Sequence, residues 1–319
     1  MSARLTTDFA GITFKNPVVP ASGTFGFGRE FEQVYDLERL GGLCTKGLTI
    51  APKPGNTGTR IWETSAGIIN SIGLENPGVD AFIVNEWPHL SALDTVTVVN
   101  VGGSDEASYL AAIEKLNDLP VALLELNISC PNVKCGGMAF GMDPDQAGRI
   151  TKKAAAASTH PIMVKLTPNA PDIVAVARAC EAAGAAGLSL INTIQAMAVD
   201  VDAKKIVFDN IYAGLSGPAV KPIALRITHQ VVNAVRIPVM AMGGIADWRD
   251  ALEFIMVGAT CVQVGTMNFV TPTTAVDIVD GLEAYCEAEG LDNIAEVRGI
   301  LIDNGENHEK NYCVDFRRF

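Results

Sequence analysis

Short apolar runs alternate with amphipathic stretches along this chain, and the alternation predicts repeated β-strand and α-helix units. Eight of the apolar runs read as strands, ending at Val19, Thr45, Val101, Leu126, Val164, Ile191, Met242 and Val264. Between them apolar positions recur with the helical period, as over Asp143–Ser158, Asp172–Ala183 and Asp247–Val257. Asp143-Pro144 and Asp247 have the chemistry of helix N-caps, and Gly184 and Gly258 that of C-terminal stops. Eight strands with intervening helices favour a closed parallel (β/α)8 barrel of the TIM type over an open doubly wound sheet. A Rossmann sheet would also need a G-x-G-x-x-G turn, which the sequence lacks. Residues 5–14 alternate around Gly11 and predict a hairpin plugging the barrel bottom. The chain, residues 1–319, reads as one barrel domain with this hairpin at its start and a polar tail over Asn304–Phe319.

The polar residues fall just past the strand ends. Ser22 follows VVPA, Lys46 follows GLCT, Asn100 lies within TVVNV, and Asn127 and Ser129 follow LLEL. Lys165 follows IMV, Asn192-Thr193 follow SLI, Gly243-Gly244 follow VMAM, and Gly265-Thr266 follow VQV. In a barrel these positions converge on the C-terminal mouth, where such folds place their chemistry.

Composition narrows the partners. The net charge is −12, from 24 Lys+Arg against 36 Asp+Glu, which disfavours nucleic acid or an anionic membrane surface. A small anionic substrate stays compatible, because a site can be locally basic. The seven cysteines are scattered and form no C-x2-C pair, so the expectation is a reducing cytoplasm without a disulfide framework. The N-terminus carries no secretory h-region, and no apolar run is long enough to span a bilayer.

The glycine pair Gly243-Gly244 and the dipeptide Gly265-Thr266 follow the last two strands, the usual phosphate site of this fold, where backbone N–H groups must approach closely. Gly214-Leu215-Ser216-Gly217-Pro218 reads as a third glycine-rich turn. Lys165 ends a buried strand, which is costly unless it meets an anion or a ligand. It could form a Schiff base, as in barrel aldolases, or stabilise a reduced anionic flavin. Lys46 is a second strand-end cation. Asn127-Ile128-Ser129-Cys130-Pro131-Asn132 follows the fourth strand, and Cys130 there could be base, nucleophile or metal ligand. Cys130 and Cys135 are followed by no second Cys/His pair at suitable spacing, so no metal is expected. Asn70, Ser71, Ile72, Gly73 and Leu74 open a loop that offers donors and acceptors to a planar heterocycle. Across the mouth Asn70, Asn100, Asn127, Asn132 and Asn192 suit a neutral, hydrogen-bond-rich ring better than a metal or a hydrolytic triad.

These residues resemble the class 1 dihydroorotate dehydrogenases, and among them the B-type catalytic subunit. NPVVPASGTFGFGREF, NSIGLENPG, NISCPNVKCGGMAFGMDP, INT, GLSGPAVKPIALR, MGGI and VGTMNF match in order, from about Leu5 to Phe269. The ASGTFGFG form looks like the B-type rather than the fumarate-linked A-type. Membrane-linked class 2 enzymes differ in carrying an N-terminal extension and a serine base.

The resemblance implies that dihydroorotate is oxidised to orotate for pyrimidine biosynthesis, with Cys130 as general base and FMN as hydride acceptor. It implies substrate contacts from Lys46, Asn70, Ser71, Ile72, Gly73, Leu74, Asn127, Asn132, Asn192 and Thr193. It implies FMN contacts from Ser22, Lys46, Gly47, Asn100, Asn127, Lys165, Ile191, Gly217, Gly243, Gly244, Gly265 and Thr266. Similar B-type enzymes form a homodimeric core in a heterotetramer whose second subunit carries FAD and a [2Fe-2S] cluster and passes electrons to NAD. This chain has neither iron–sulfur cysteine spacing nor a dinucleotide fingerprint, which fits an external acceptor. The rivals are the A-type enzyme, a dihydropyrimidine dehydrogenase-like flavoenzyme and, further off, the aldolase using Lys165. Cys135 stands where the family usually has histidine, and Ala213 replaces the first glycine of the usual GGLSG.

Overall fold

The computed structural model describes residues 3–129 and 140–301. The chain opens with an antiparallel hairpin, β1 (Thr7–Phe9) and β2 (Ile12–Phe14), turning at Gly11. Then come β3 (Val18–Pro20), β4 (Gly42–Cys44), β5 (Ile61–Thr64), β6 (Gly67–Asn70), β7 (Val96–Val101), β8 (Leu123–Asn127) and β9 (Ile162–Lys165). They are followed by β10 (Gly187–Leu190), β11 (Ile194–Ala196), β12 (Val199–Asp200), β13 (Lys205–Ile206), β14 (Ala213–Ser216), β15 (Val239–Met242) and β16 (Cys261–Val264).

Eight strands pair in parallel in the order β3-β16-β15-β10-β9-β8-β7-β4. The gap between the two outer strands is bridged by the Gly41 N–H donating to Val18 O at 3.2 Å. Asn16 reinforces that seam: its Oδ1 accepts from Val18 N and Gly41 N, and its Nδ2 donates to Arg39 O. The result is a TIM-type (β/α)8 barrel. Each predicted strand end falls within one residue of the observed one.

Helices pack outside. Three of them, Pro144–Ala157, Ile173–Ala182 and Trp248–Met256, start where Asp143, Asp172 and Asp247 accept from backbone N–H groups of the first turn. Gly184 and Gly258 sit just past two of their ends in the left-handed region that glycine adopts without strain.

Because neighbouring strand residues point to opposite faces, every barrel strand divides its side chains between helices and interior. Inside, the bottom is apolar: Val19, Cys44, Val98, Leu123, Met163, Met240 and Cys261 pack with Phe9 and Phe14 of the hairpin. Two residues further along, the same faces carry Lys46, Asn100, Glu125, Lys165 and Gln263, with Ser189 on β10. The barrel therefore has a greasy plug below and a polar floor above.

The mouth carries structure that the sequence pattern did not suggest. β11, β14, β6 and β5 form a four-stranded antiparallel sheet, and β12 and β13 form a small hairpin. The stretch read as a glycine-rich turn at Gly214 is instead strand β14, and the turn begins only at Gly217. Asn70, placed in a loop by sequence, ends β6 and lies opposite Gly214.

Candidate active site

A cavity of about 740 Å³ opens at the C-terminal ends of the barrel strands. Of the substrate contacts expected from sequence, Lys46, Asn70, Ser71, Ile72, Gly73, Leu74, Asn127, Asn192 and Thr193 line it. So do the expected cofactor contacts Ser22, Gly47, Asn100, Lys165, Ile191, Gly217, Gly243, Gly244, Gly265 and Thr266. Cys130, Asn132 and Cys135 lie outside the described residues. Ser129, immediately before Cys130, lines the cavity, as does Met142.

The floor is built by strand pairing. Asn100 lies opposite Glu125 across β7 and β8, and Asn127 lies opposite Lys165 across β8 and β9. Ser189 on β10 lies opposite Lys165. The expectation that Lys165 needs an anion is met by Glu125, whose Oε2 stands 3.7 Å from Lys165 Nζ. Sequence reasoning missed Glu125. The signal was available in LLELN, where a charge interrupts a run that a parallel strand buries on both faces.

Glu125 is completely buried and well satisfied. Its carboxylate accepts from Ser189 Oγ at 2.7 Å, from Gln263 Nε2 at 3.1 Å and from Asn100 Nδ2. Burial alone would push this carboxyl up; the Lys165 charge and these hydrogen bonds outweigh it, and the group is held below the ordinary carboxylate range. Beside it, Cys44 is driven well above the ordinary thiol value by burial first and by Glu125 second. Cys44 is thus a neutral thiol, donating to Glu125 Oε2 at 3.3 Å. Lys46 is half-buried, and lost solvation lowers its pKa from the ordinary lysine value.

Toward the mouth the asparagines are ordered among themselves. Asn192 Nδ2 donates to Ser129 Oγ at 2.7 Å, and Ser129 Oγ donates to Asn127 Oδ1 at 2.8 Å. Asn70 Nδ2 donates to Gly214 O at 3.2 Å, adding a side-chain bond between β6 and β14 of the inserted sheet. Asn56, which the sequence did not single out, also lines the cavity and donates to Ser71 Oγ at 3.0 Å.

Three observations bear on a phosphate-bearing aromatic cofactor. Asn100 Oδ1 is buried with no partner among the described residues, so it is an acceptor awaiting a donor. Gly243 and Gly244 have φ of +126° and +80°, and a Cβ would stand 2.7 Å from Ala224 Cβ at one and 2.6 Å from Lys221 N at the other. Both glycines line the cavity, and the close approach of neighbouring chain excludes a side chain at each, so main chain forms this part of the wall, as a phosphate cradle requires. Two ammonium groups, Lys46 and Lys165, face the same space. The donor set fits a flavin mononucleotide. Among the described residues no cluster of three His, Cys, Asp or Glu has metal-binding geometry.

A family model described as dihydroorotate dehydrogenase matches residues 4–286. The chain is 51% identical over 294 residues to the dihydroorotate dehydrogenase B (NAD(+)) catalytic subunit of Petrotoga mobilis, spanning 92% of this chain and 98% of that one. It is 48% identical over 297 residues to the like-named protein of Caldicellulosiruptor bescii, spanning 93% and 99%. It is 47% identical over 302 residues to that of Pelobacter propionicus, spanning 94% and 99%.

Proposed function

The chain belongs to the dihydroorotate dehydrogenase family, and we propose that it is the FMN-binding catalytic subunit of a B-type, NAD-linked enzyme. Its reaction is the oxidation of dihydroorotate to orotate in pyrimidine biosynthesis. The observation that carries the cofactor reading is the strand-end cavity, with two ammonium groups, an unpartnered buried acceptor and a glycine wall around one space.

FMN, when bound, supplies the acceptor for the hydride leaving C6 of the substrate. Ser22, Lys46, Gly47, Asn100, Asn127, Lys165, Ile191, Gly217, Gly243, Gly244, Gly265 and Thr266 would hold it. The backbone at Gly243, Gly244 and Gly265 would offer N–H groups to its phosphate, and Lys165 would offer positive charge that favours the reduced ring. Lys46 pairs with the orotate carboxylate. Asn70, Asn127, Asn132 and Asn192, with Ser71 to Leu74 and Thr193, hold the ring by amide donors and acceptors, which fixes its orientation. Cys130 takes the C5 proton. The support for its role is the NISCPN motif and the position of Ser129 on the cavity wall.

The relatives' printed names place them as catalytic subunits, which supports a partner chain receiving the electrons. That partner would carry FAD and a [2Fe-2S] cluster and reduce NAD, with two copies of this chain at the core of a heterotetramer. No helix among the described residues is long and apolar enough to cross a membrane, and the cysteine usage supports a cytoplasmic setting. The A-type and dihydropyrimidine readings find no support among these relatives, whose names all specify the B enzyme.

An anaerobic absorbance spectrum before and after dihydroorotate tests the reading. A flavin band that bleaches with dihydroorotate and not with dihydrouracil is expected. A band indifferent to dihydroorotate, or no FMN binding on reconstitution, would overturn it.

A further inference from the structure

The proposed chemistry gives Glu125 no task. Its Oε1 accepts from Ser189 at 2.7 Å and Gln263 at 3.1 Å; its Oε2 accepts from Asn100 and from Cys44 at 3.3 Å and lies 3.7 Å from Lys165 Nζ. Four barrel strands besides its own thus converge on one buried carboxylate, with β9 adding the ammonium. Stability alone does not explain it, because well-packed apolar residues in place of a buried ion pair are often neutral or stabilising. Two of its partners, Asn100 and Lys165, line the cavity.

The geometry constrains both. Asn100 uses its amide nitrogen on Glu125, so its Oδ1 is left as the acceptor beside the Gly47 wall. Lys165 is tethered from below while its ammonium remains at the floor of the mouth. An isolated ammonium would bind an electron-rich ring strongly. With Glu125 beneath it, the two charges largely cancel at a distance, which keeps a reduced ring from becoming a trap for electrons that must leave.

We propose that Glu125 is a positioning residue: its fixed negative charge anchors Lys165, orients Asn100, and sets how much more tightly the cavity holds reduced than oxidised FMN. The inference rests on the FMN reading given above.

The test compares the FMN-loaded wild-type chain with Glu125→Gln by anaerobic potential titration. Glutamine keeps the shape and an acceptor for Asn100 but lacks the charge. The ratio of affinities for reduced over oxidised FMN should rise about tenfold, the order expected when a unit charge is removed from beneath the cavity floor at an effective dielectric of about 20. For a two-electron couple that is a midpoint about 30 mV more positive. Glu125→Asp, which restores the charge, should return the ratio toward wild type. Glu125→Met, which also removes the charge and leaves no buried amide to satisfy, should raise the ratio likewise and stands in if Glu125→Gln does not fold. An unchanged ratio in whichever charge-removing variant folds and holds FMN would overturn the proposal and leave Glu125 a scaffold residue. A wild-type chain that binds no FMN would instead overturn the cofactor reading itself.

Discussion

Replacing Lys165 by methionine strands a carboxylate at the centre of the barrel. Lys165 is 4% exposed and Glu125 0%, so neither charge is answered by water. Removing one partner of a buried pair typically costs roughly 3–5 kcal/mol, because the survivor is left uncompensated. At an unfolding entropy of about 2.1 cal/mol/K per residue over 319 residues, the FMN-free variant should melt about 4–8 °C below the native chain. The deficit should also depend on pH. In the native chain Glu125 is depressed, burial being outweighed by Lys165 and three hydrogen bonds. A depressed carboxylate stabilises the fold above its unfolded pKa, and that contribution is lost as pH falls through the folded pKa. Without Lys165 the balance tips to burial, which raises the folded pKa. Protonation then accompanies folding, and the deficit of Lys165→Met should shrink as pH falls from about 8 to about 5. Circular dichroism melts of the native chain, K165M, E125Q and the double variant at both pH values test this. K165M melting within about 1 °C of native at the higher pH, or a deficit that grows on acidification, would refute the reasoning. In the double variant, with no charge left to strand, most of the loss should be recovered.

Gly243→Ala adds a Cβ 2.7 Å from Ala224 Cβ at a φ of +126°. Strain of about 1–3 kcal/mol should lower the melting temperature by a few degrees, and FMN affinity should fall, read by flavin fluorescence on dilution. Lys46 has a pKa below the ordinary lysine value, chiefly through lost solvation. Orotate binding should therefore weaken on alkaline titration earlier than an ordinary lysine would dictate, and calorimetry of Lys46→Met should show weak binding without that pH dependence. Cys130→Ala removes the proposed base, so flavin reduction by dihydroorotate in stopped flow should slow by about 10²–10⁴ with FMN still bound. A full rate in that variant would discard the assignment.

What was legible in the sequence follows from locality. A buried parallel strand announces itself in four to six apolar residues, and an aspartate that caps a helix acts within its own first turn. Hence the eight strand ends and the caps Asp143 and Asp247 could be read without partners. The inserted sheet could not. Its strands are three or four residues long, β5 is exposed throughout, and β6 finds β14 by setting Asn70 against Gly214, far along the chain. Pairing at that range leaves no local period to detect.

Glu125 is a different kind of omission, because its information was local. Asn127 and Lys165 stand out by sitting at strand ends, where a polar residue is unusual but tolerated. Glu125 stands two residues earlier on the same face as Asn127, where a lone carboxylate is far costlier. The anion that Lys165 required was therefore encoded on the adjacent strand, one step of the pleat below the mouth, and the parallel register brings the two charges together. In a barrel a charge inside a strand and a charge at its neighbour's end belong in one reading. Cys44, Ser189 and Gln263, each on the interior face of its own strand, complete the set that period-two alternation alone would have aimed at that point.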